Sequence, residues 1–165
     1  MSNVTKNNAA AHIGPDASGV SHFFYTTTSG KLCAFIKKDN EDYYDQQPVI
    51  VEAKGNVSTQ TKKGSPIEAV GYKFDGEDQI RVYYITSDSK LKELCWSPTR
   101  GYFAGALSRK QYSVADDTGL AASASGGLLE VYCKLDKYDD SYARIWLRDQ
   151  RSEIWNDTTL IRSDF

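Results

Sequence analysis

The sequence predicts an all-β chain made of three four-stranded units, and three observations carry that prediction. Segments rich in β-branched and aromatic residues run through its whole length, no stretch needs a long helix, and the order of the segments recurs. Eleven Tyr, six Phe and three Trp stand against a single Met in 165 residues. These residue types suit the pleated, half-buried surface of strands.

The first unit reads as strands over Ala9–Ile13, His22–Tyr25, Leu32–Ile36 and Pro48–Val51, with the polar segment Glu52–Lys63 expected as a surface loop. The second is clearer. Pro66–Tyr72 is closed by the turn-forming Asp75-Gly76-Glu77-Asp78, and the β-branched Ile80–Ile85 is followed by Thr86-Ser87-Asp88-Ser89. Leu91–Trp96 and the Pro-containing turn Ser97–Gly101 then lead into Tyr102–Leu107. The third repeats this order in Leu120–Ala124, Leu128–Cys133, Tyr142–Trp146 and Ile154–Leu160. Anchored on His22, Arg81 and Glu130, the units recur at intervals of 59 and 49 residues, which divides one domain into repeats over 9–63, 64–115 and 116–165. Two closed all-β solutions accept three such units. One is a β-propeller, each unit a blade, completed to six blades by a second copy that covers its open edges. The alternative is a β-trefoil.

Composition narrows the function. Twenty Lys and Arg balance 22 Asp and Glu for a net charge of -2, so the polycationic surface of a general nucleic-acid binder is missing. No apolar run approaches a membrane span. Met1–Asn8 lacks the basic-then-apolar order of a signal peptide, which predicts a cytoplasmic protein or one secreted by an unconventional route. Three scattered cysteines, Cys33, Cys95 and Cys133, read as small buried hydrophobes. With them and only His12 and His22, a metal site has almost no ligands, and no cofactor is expected. Neither a G-x-S-x-G elbow nor a phosphate-cradling glycine loop occurs, and the carboxylates Asp39–Asp42, Asp116-Asp117 and Asp139-Asp140 fall in turn-like stretches. The sequence points away from an enzyme.

The second unit carries the chemistry. Arg81 and Glu93 lie on adjacent strands of one hairpin, and an odd-numbered turn places both on one face. A guanidinium offers a fork of donors and a carboxylate only acceptors, so the pair could clamp neighbouring hydroxyls of a sugar. It could equally be an ordinary cross-strand ion pair. Ile80-Arg81-Val82-Tyr83, then Leu91-Lys92-Glu93-Leu94-Cys95-Trp96, then Gly101-Tyr102-Phe103-Ala104-Gly105-Ala106 resembles the repeat of the Aleuria-type fucose-binding lectins of fungi and bacteria. The resemblance covers the second unit fully, the third loosely and the first barely. It implies a six-bladed propeller that binds l-fucose or fucosylated glycans between blades, without metal or catalysis. Carried over residue by residue, it implies a site of Arg81, Glu93, Gly105 and Ala106 from the second unit and Trp146 and Trp155 from the third. The departures matter too. His22 and Ala34 stand at the Arg and Glu positions of the first unit and Lys37 at its tryptophan. Glu130 and Ala143 are read at the Arg and Glu positions of the third, so one complete site per chain is expected.

Overall fold

The computed structural model describes residues 10–14, 19–38, 41–42, 45–48, 59–139 and 141–160. They form twelve antiparallel strands in three separate four-stranded sheets. The first holds β1 (Ala10–Ile13), β2 (Ser21–Thr26), β3 (Leu32–Lys37) and β4 (Asp45–Pro48). The second holds β5 (Ile67–Phe74), β6 (Glu77–Ile85), β7 (Leu91–Ser97) and β8 (Gly101–Ala104). The third holds β9 (Ala121–Ser125), β10 (Leu128–Leu135), β11 (Ser141–Leu147) and β12 (Asn156–Thr159). Each sheet is a meander of consecutive strands, as in a propeller blade. A trefoil would weave its units into one barrel, so that alternative falls.

Local chemistry sets the hairpins. Asp75-Gly76 and Gly126-Gly127 each supply two consecutive positive φ angles, at 49° and 83° and at 55° and 82°. That geometry makes the two-residue turn whose twist matches the flanking strands, here joining β5 to β6 and β9 to β10. Alternation then sorts the side chains. Along β10, every second residue from Leu129 to Leu135 is buried and those between are half-buried, so one face packs on a neighbour while the other stays open.

Two apolar layers hold the blades in series. Phe24, Leu32 and Ala34 of the first blade meet Ile67, Ile80, Val82, Tyr84, Leu94 and Tyr102 of the second. The opposite face of the second blade, with Val70, Tyr83, Ile85 and Leu91, meets Leu129, Val131, Cys133, Ile145, Leu147 and Trp155 of the third. The cysteines Cys33, Cys95 and Cys133 are free and buried.

Two expectations shift. The fourth strand of the first blade is Asp45–Pro48 rather than Pro48–Val51, whose last three residues lie outside the described residues, as do residues 52–58 of the expected polar loop, Met1–Asn8, Asp39 and Asp140. Strand β8 ends at Ala104, because Gly105 turns the chain into a 3-10 helix over Ala106–Lys110. Among the described residues no helix is long and apolar enough to cross a membrane, and no cluster of three His, Cys, Asp or Glu could hold a metal.

Candidate functional site

The pairing of β6 with β7 sets Tyr83 opposite Glu93 and Arg81 opposite Cys95. The connection over 86–90 has the odd length that puts Arg81, Tyr83, Glu93 and Cys95 on one face, turned toward the third blade. Arg81 Nη1 lies 3.5 Å from Glu93 Oε1, a diagonal pair. The guanidinium also donates to the Cys95 thiol, and its Nε donates to Tyr72 Oη at 2.8 Å. Tyr72 in turn donates to Oε1 of Gln150 at 2.8 Å. Gln150 belongs to the β11–β12 connection, so this chain of bonds crosses between blades. Two surface ion pairs fasten the same connection, Arg151 to Asp75 at 2.7 Å and Glu153 to Arg109 at 2.5 Å.

Glu93 is fully buried. Its Oε2 accepts the Leu107 backbone N–H at 3.0 Å, and its own carbonyl accepts the Gly105 N–H at 2.9 Å. Gly105 has an ordinary φ of -82°, so its need is space rather than conformation. A Cβ there would lie 2.0 Å from Glu93 Oε2 and 2.3 Å from its carboxyl carbon. Ala106 follows, buried in the apolar layer against the third blade. Burial raises the Glu93 carboxyl above its ordinary value, while Arg81 and the Leu107 N–H work the other way. Desolvation disfavours the charged form, and only a close cation or hydrogen bonds can offset it. Burial likewise pushes the Tyr83 hydroxyl and the Cys95 thiol well up. Carboxylate, Cys95 and Tyr72 beside Arg81 hold its guanidinium charged against the desolvation that burial imposes.

The two tryptophans separate. Trp155 is buried and meets the Tyr83 ring edge-to-face, with centroids 6.2 Å apart at 84°, so it joins this group. Trp146 does not. It alternates with Ile145 and Leu147, which pack on the second blade, and therefore stands on the other face of β11, opposite Glu130, with the Arg144 guanidinium 5.0 Å over its ring. The structural counterpart of Trp96 is Leu147, one residue further on.

The same one-residue offset corrects the reading of Ala143. The outer face of the third blade presents Glu130 opposite Trp146 and Tyr132 opposite Arg144. This is the arrangement of Arg81 opposite Cys95 and Tyr83 opposite Glu93. The glutamate position of the third blade is thus held by Arg144, not Ala143, and Arg144 Nε binds Glu130 Oε1 at 2.5 Å. The pair is present with its charges exchanged. In the first blade His22, Phe24 and Ala34 occupy the Arg81, Tyr83 and Glu93 positions, as the spacing of 59 requires.

Tyr72, Tyr83 and Gln150 were absent from the site read from sequence. Tyr83 stands inside the Ile-Arg-Val-Tyr segment, but Tyr72 and Gln150 carry no signal until the blades are packed. With them the group shows an unusual feature. Glu93 Oε1, Tyr83 Oη, Trp155 Nε1 and Gln150 Nε2 are all buried and, among the described residues, have no hydrogen-bond partner. A buried polar atom left unpaired costs on the order of 1–3 kcal/mol, and native interiors rarely gather four of them.

Several solved structures share this architecture. AofleA from Arthrobotrys oligospora superposes with a TM-score of 0.74 at 18% identity, covering 96% of this chain and 43% of that one. The Aleuria aurantia lectin, a six-bladed β-propeller, gives 0.69 at 20% identity, covering 93% and 48%. This chain therefore spans less than half the length of those two. A fucose lectin from Kordia zhangzhouensis, solved with methyl-fucoside, gives 0.62 at 20% identity, covering 93% of this chain and all of that one. No curated protein sequence matches. The sequence model of the fungal fucose-specific lectins, in contrast, matches residues 24–159, from the second strand of the first blade to the end of the last. With propeller blades and a lectin-type repeat in the same segment, the chain belongs to the fungal fucose-specific lectin family.

Proposed function

We propose that this protein is a non-catalytic lectin that binds fucose or fucosylated glycans between its second and third blades, and that two copies close a six-bladed ring. The observation that carries the site is the gathering, around Arg81 and Glu93, of four buried polar atoms that make no hydrogen bond among the described residues. Their types are complementary to sugar hydroxyls: an acceptor in Glu93 Oε1, donors in Trp155 Nε1 and Gln150 Nε2, and both in Tyr83 Oη. Trp155 adds an aromatic surface for an apolar sugar face. Gly105 keeps the carboxylate seated and Ala106 lines the wall beside it. Trp146 has no part in this seat.

Ring closure is supported by the two ends of the chain's own stack. The face of the first blade turned away from the second carries Phe23, Tyr25 and Phe35, with Tyr25 and Phe35 stacked at 4.9 Å. All three are half-buried, while their counterparts on the second blade, Val82, Tyr84 and Leu94, are at most 1% exposed. A second copy offering the outer face of its third blade would cover them as the inner junctions do. Light scattering should give a mass twice 18.4 kDa, and a stable monomer would overturn this part.

The full burial of Glu93 and Trp155 favours a second reading, a structural propeller whose sugar site is vestigial. Calorimetry with methyl α-l-fucoside separates the two. Arg81→Lys keeps the charge and loses the fork, so on the lectin reading it loses most affinity with a near-native melting temperature. A wild-type chain that takes up no fucoside at millimolar concentration would establish the vestigial reading.

A further inference from the structure

We infer that Tyr72 is a positioning residue for the clamp: it holds the Arg81 guanidinium off the Glu93 carboxylate, so that both keep hydrogen-bonding capacity for a ligand. The inference rests on the lectin reading of the seam between the second and third blades, and it concerns a residue outside the hairpin that carries the pair. Tyr72 lies on β5 and is half-buried. Its Oη accepts the Arg81 Nε–H at 2.8 Å and gives its single proton to Gln150 Oε1 at 2.8 Å. The Cys95 thiol takes Nη1. What remains between guanidinium and carboxylate is the 3.5 Å approach of Nη1 to Glu93 Oε1, and that oxygen makes no hydrogen bond among the described residues. Arg81 Nη2 has no partner among them either.

The third blade shows the same kind of pair without the tyrosine. Its anion and cation occupy the same diagonal positions with charges exchanged, and Arg144 Nε bonds directly to Glu130 Oε1 at 2.5 Å. The counterpart of Tyr72 follows from the registers. Tyr72 lies two residues beyond Val70, which is paired with Arg81, and Ser125 lies two beyond Ser123, which is paired with Glu130. Ser125 is exposed and lacks the reach of a phenol, so Arg144 Nε goes to the carboxylate. A hydrogen bond from a guanidinium to a carboxylate is stronger than one to a neutral oxygen. Left to itself, Arg81 would close on Glu93 in the same way and spend the donor and the acceptor that a sugar needs. Tyr72 competes because Gln150 receives its proton, and a hydroxyl that donates is polarised to accept more strongly. The relay also fixes Gln150, whose amide turns its oxygen to the phenol and its Nε2 away.

The test compares the wild-type chain with Tyr72→Phe, which keeps the ring and removes only the hydroxyl. Calorimetry with methyl α-l-fucoside gives the affinity. NMR follows the Arg81 Nε–H and Glu93 carboxyl signals, assigned through Arg81→Lys and Glu93→Gln. The expected result is a fucoside affinity about tenfold weaker, a urea unfolding midpoint unchanged or higher, and a shift of both signals as Nε–H moves from phenol to carboxylate. A purely structural tyrosine would instead lower the midpoint and leave the two signals in place. Unmoved signals in Tyr72→Phe, or an affinity equal to that of a wild-type chain that does bind, would overturn the inference. A wild-type chain that takes up no fucoside ends the lectin reading alone; shifted signals then still assign the holding of Arg81 to Tyr72, and unshifted ones remove it. If Tyr72→Phe does not fold, Gln150→Leu decides in its place. It takes away the acceptor of the phenol proton and should move the Arg81 signal in the same direction by a smaller amount, and no movement there overturns the inference.

Discussion

The two inner junctions share one apolar frame and differ in what is set into it. In the first, the Tyr102 ring meets Phe24 edge-to-face at 6.3 Å and 86°; in the second, Trp155 meets Tyr83 at 6.2 Å and 84°. These are the same positions of successive blades, and the packing hardly notices the change of residue. The polar positions behave differently. Arg81 and Glu93 become His22 and Ala34, and a buried ion pair gathered with polar atoms that lack hydrogen bonds gives way to an open cleft whose lining charges pair with each other. Packing sets the blade angle, while two side chains decide what the seam can hold.

Breaking the charged seam should have the largest effect. Arg81→Ala leaves Glu93 buried without its cation, which costs on the order of 3–5 kcal/mol, and urea unfolding should show the corresponding drop in midpoint. The converse change should approach it: Ala34→Glu places a carboxylate at a fully buried position of the uncharged seam. Adding His22→Arg should recover part of the loss, and a double-mutant cycle should give a coupling of about 0.5–3 kcal/mol. A coupling of zero would mean that the two seams are not built alike. Next comes Gly105→Ala, whose Cβ must displace the carboxylate, expected at about 1–3 kcal/mol with loss of fucoside binding.

The smallest stability effect belongs to the exchanged pair on the outer face. Arg144 and Glu130 have side chains 32% and 18% exposed, so Arg144→Ala should cost about 0.2–1 kcal/mol in a dilute chain. The comparison can also be sharpened by pH. Because Glu93 is raised in the folded chain, folding binds its proton more tightly. The stability it contributes is complete below the ordinary carboxylate value of 4.5 and is lost as pH rises toward its folded value. Glu93→Gln should therefore flatten the pH dependence of the unfolding midpoint above 4.5. An unchanged slope would show that Glu93 is not the titrating group.

The blades were legible because strand chemistry is local. Ile80–Ile85 and Leu91–Trp96 appear in the structure with ends moved by three residues or fewer, and Asp75-Gly76 turns where its residue types demand. Arg81 and Glu93 could be placed on one face from the length of the turn alone. The third blade resisted for a physical reason. Its hairpin connection is longer when counted between equivalent positions, 135–141 against 86–90. Side chains alternate, so a slip of one residue moves each to the other face. Counting by fifty therefore chose Trp146 for Leu147 and Ala143 for Arg144. Neither strand propensity nor hydrophobicity registers that slip, because both alternatives read as acceptable strand.

From the chain's chemistry alone came the all-β class, the three repeats, the cation and anion on one hairpin, and the change of polar residues in the first unit. All of these depend on residue type and short spacing. Only the packed structure decided which tryptophan meets Tyr83, that Tyr72 and Gln150 link two blades, that Glu93 sits wholly inside, and where a cleft remains open. Those facts depend on which face of one sheet meets another, and sheet contact is a property of register and burial over long separations in the chain.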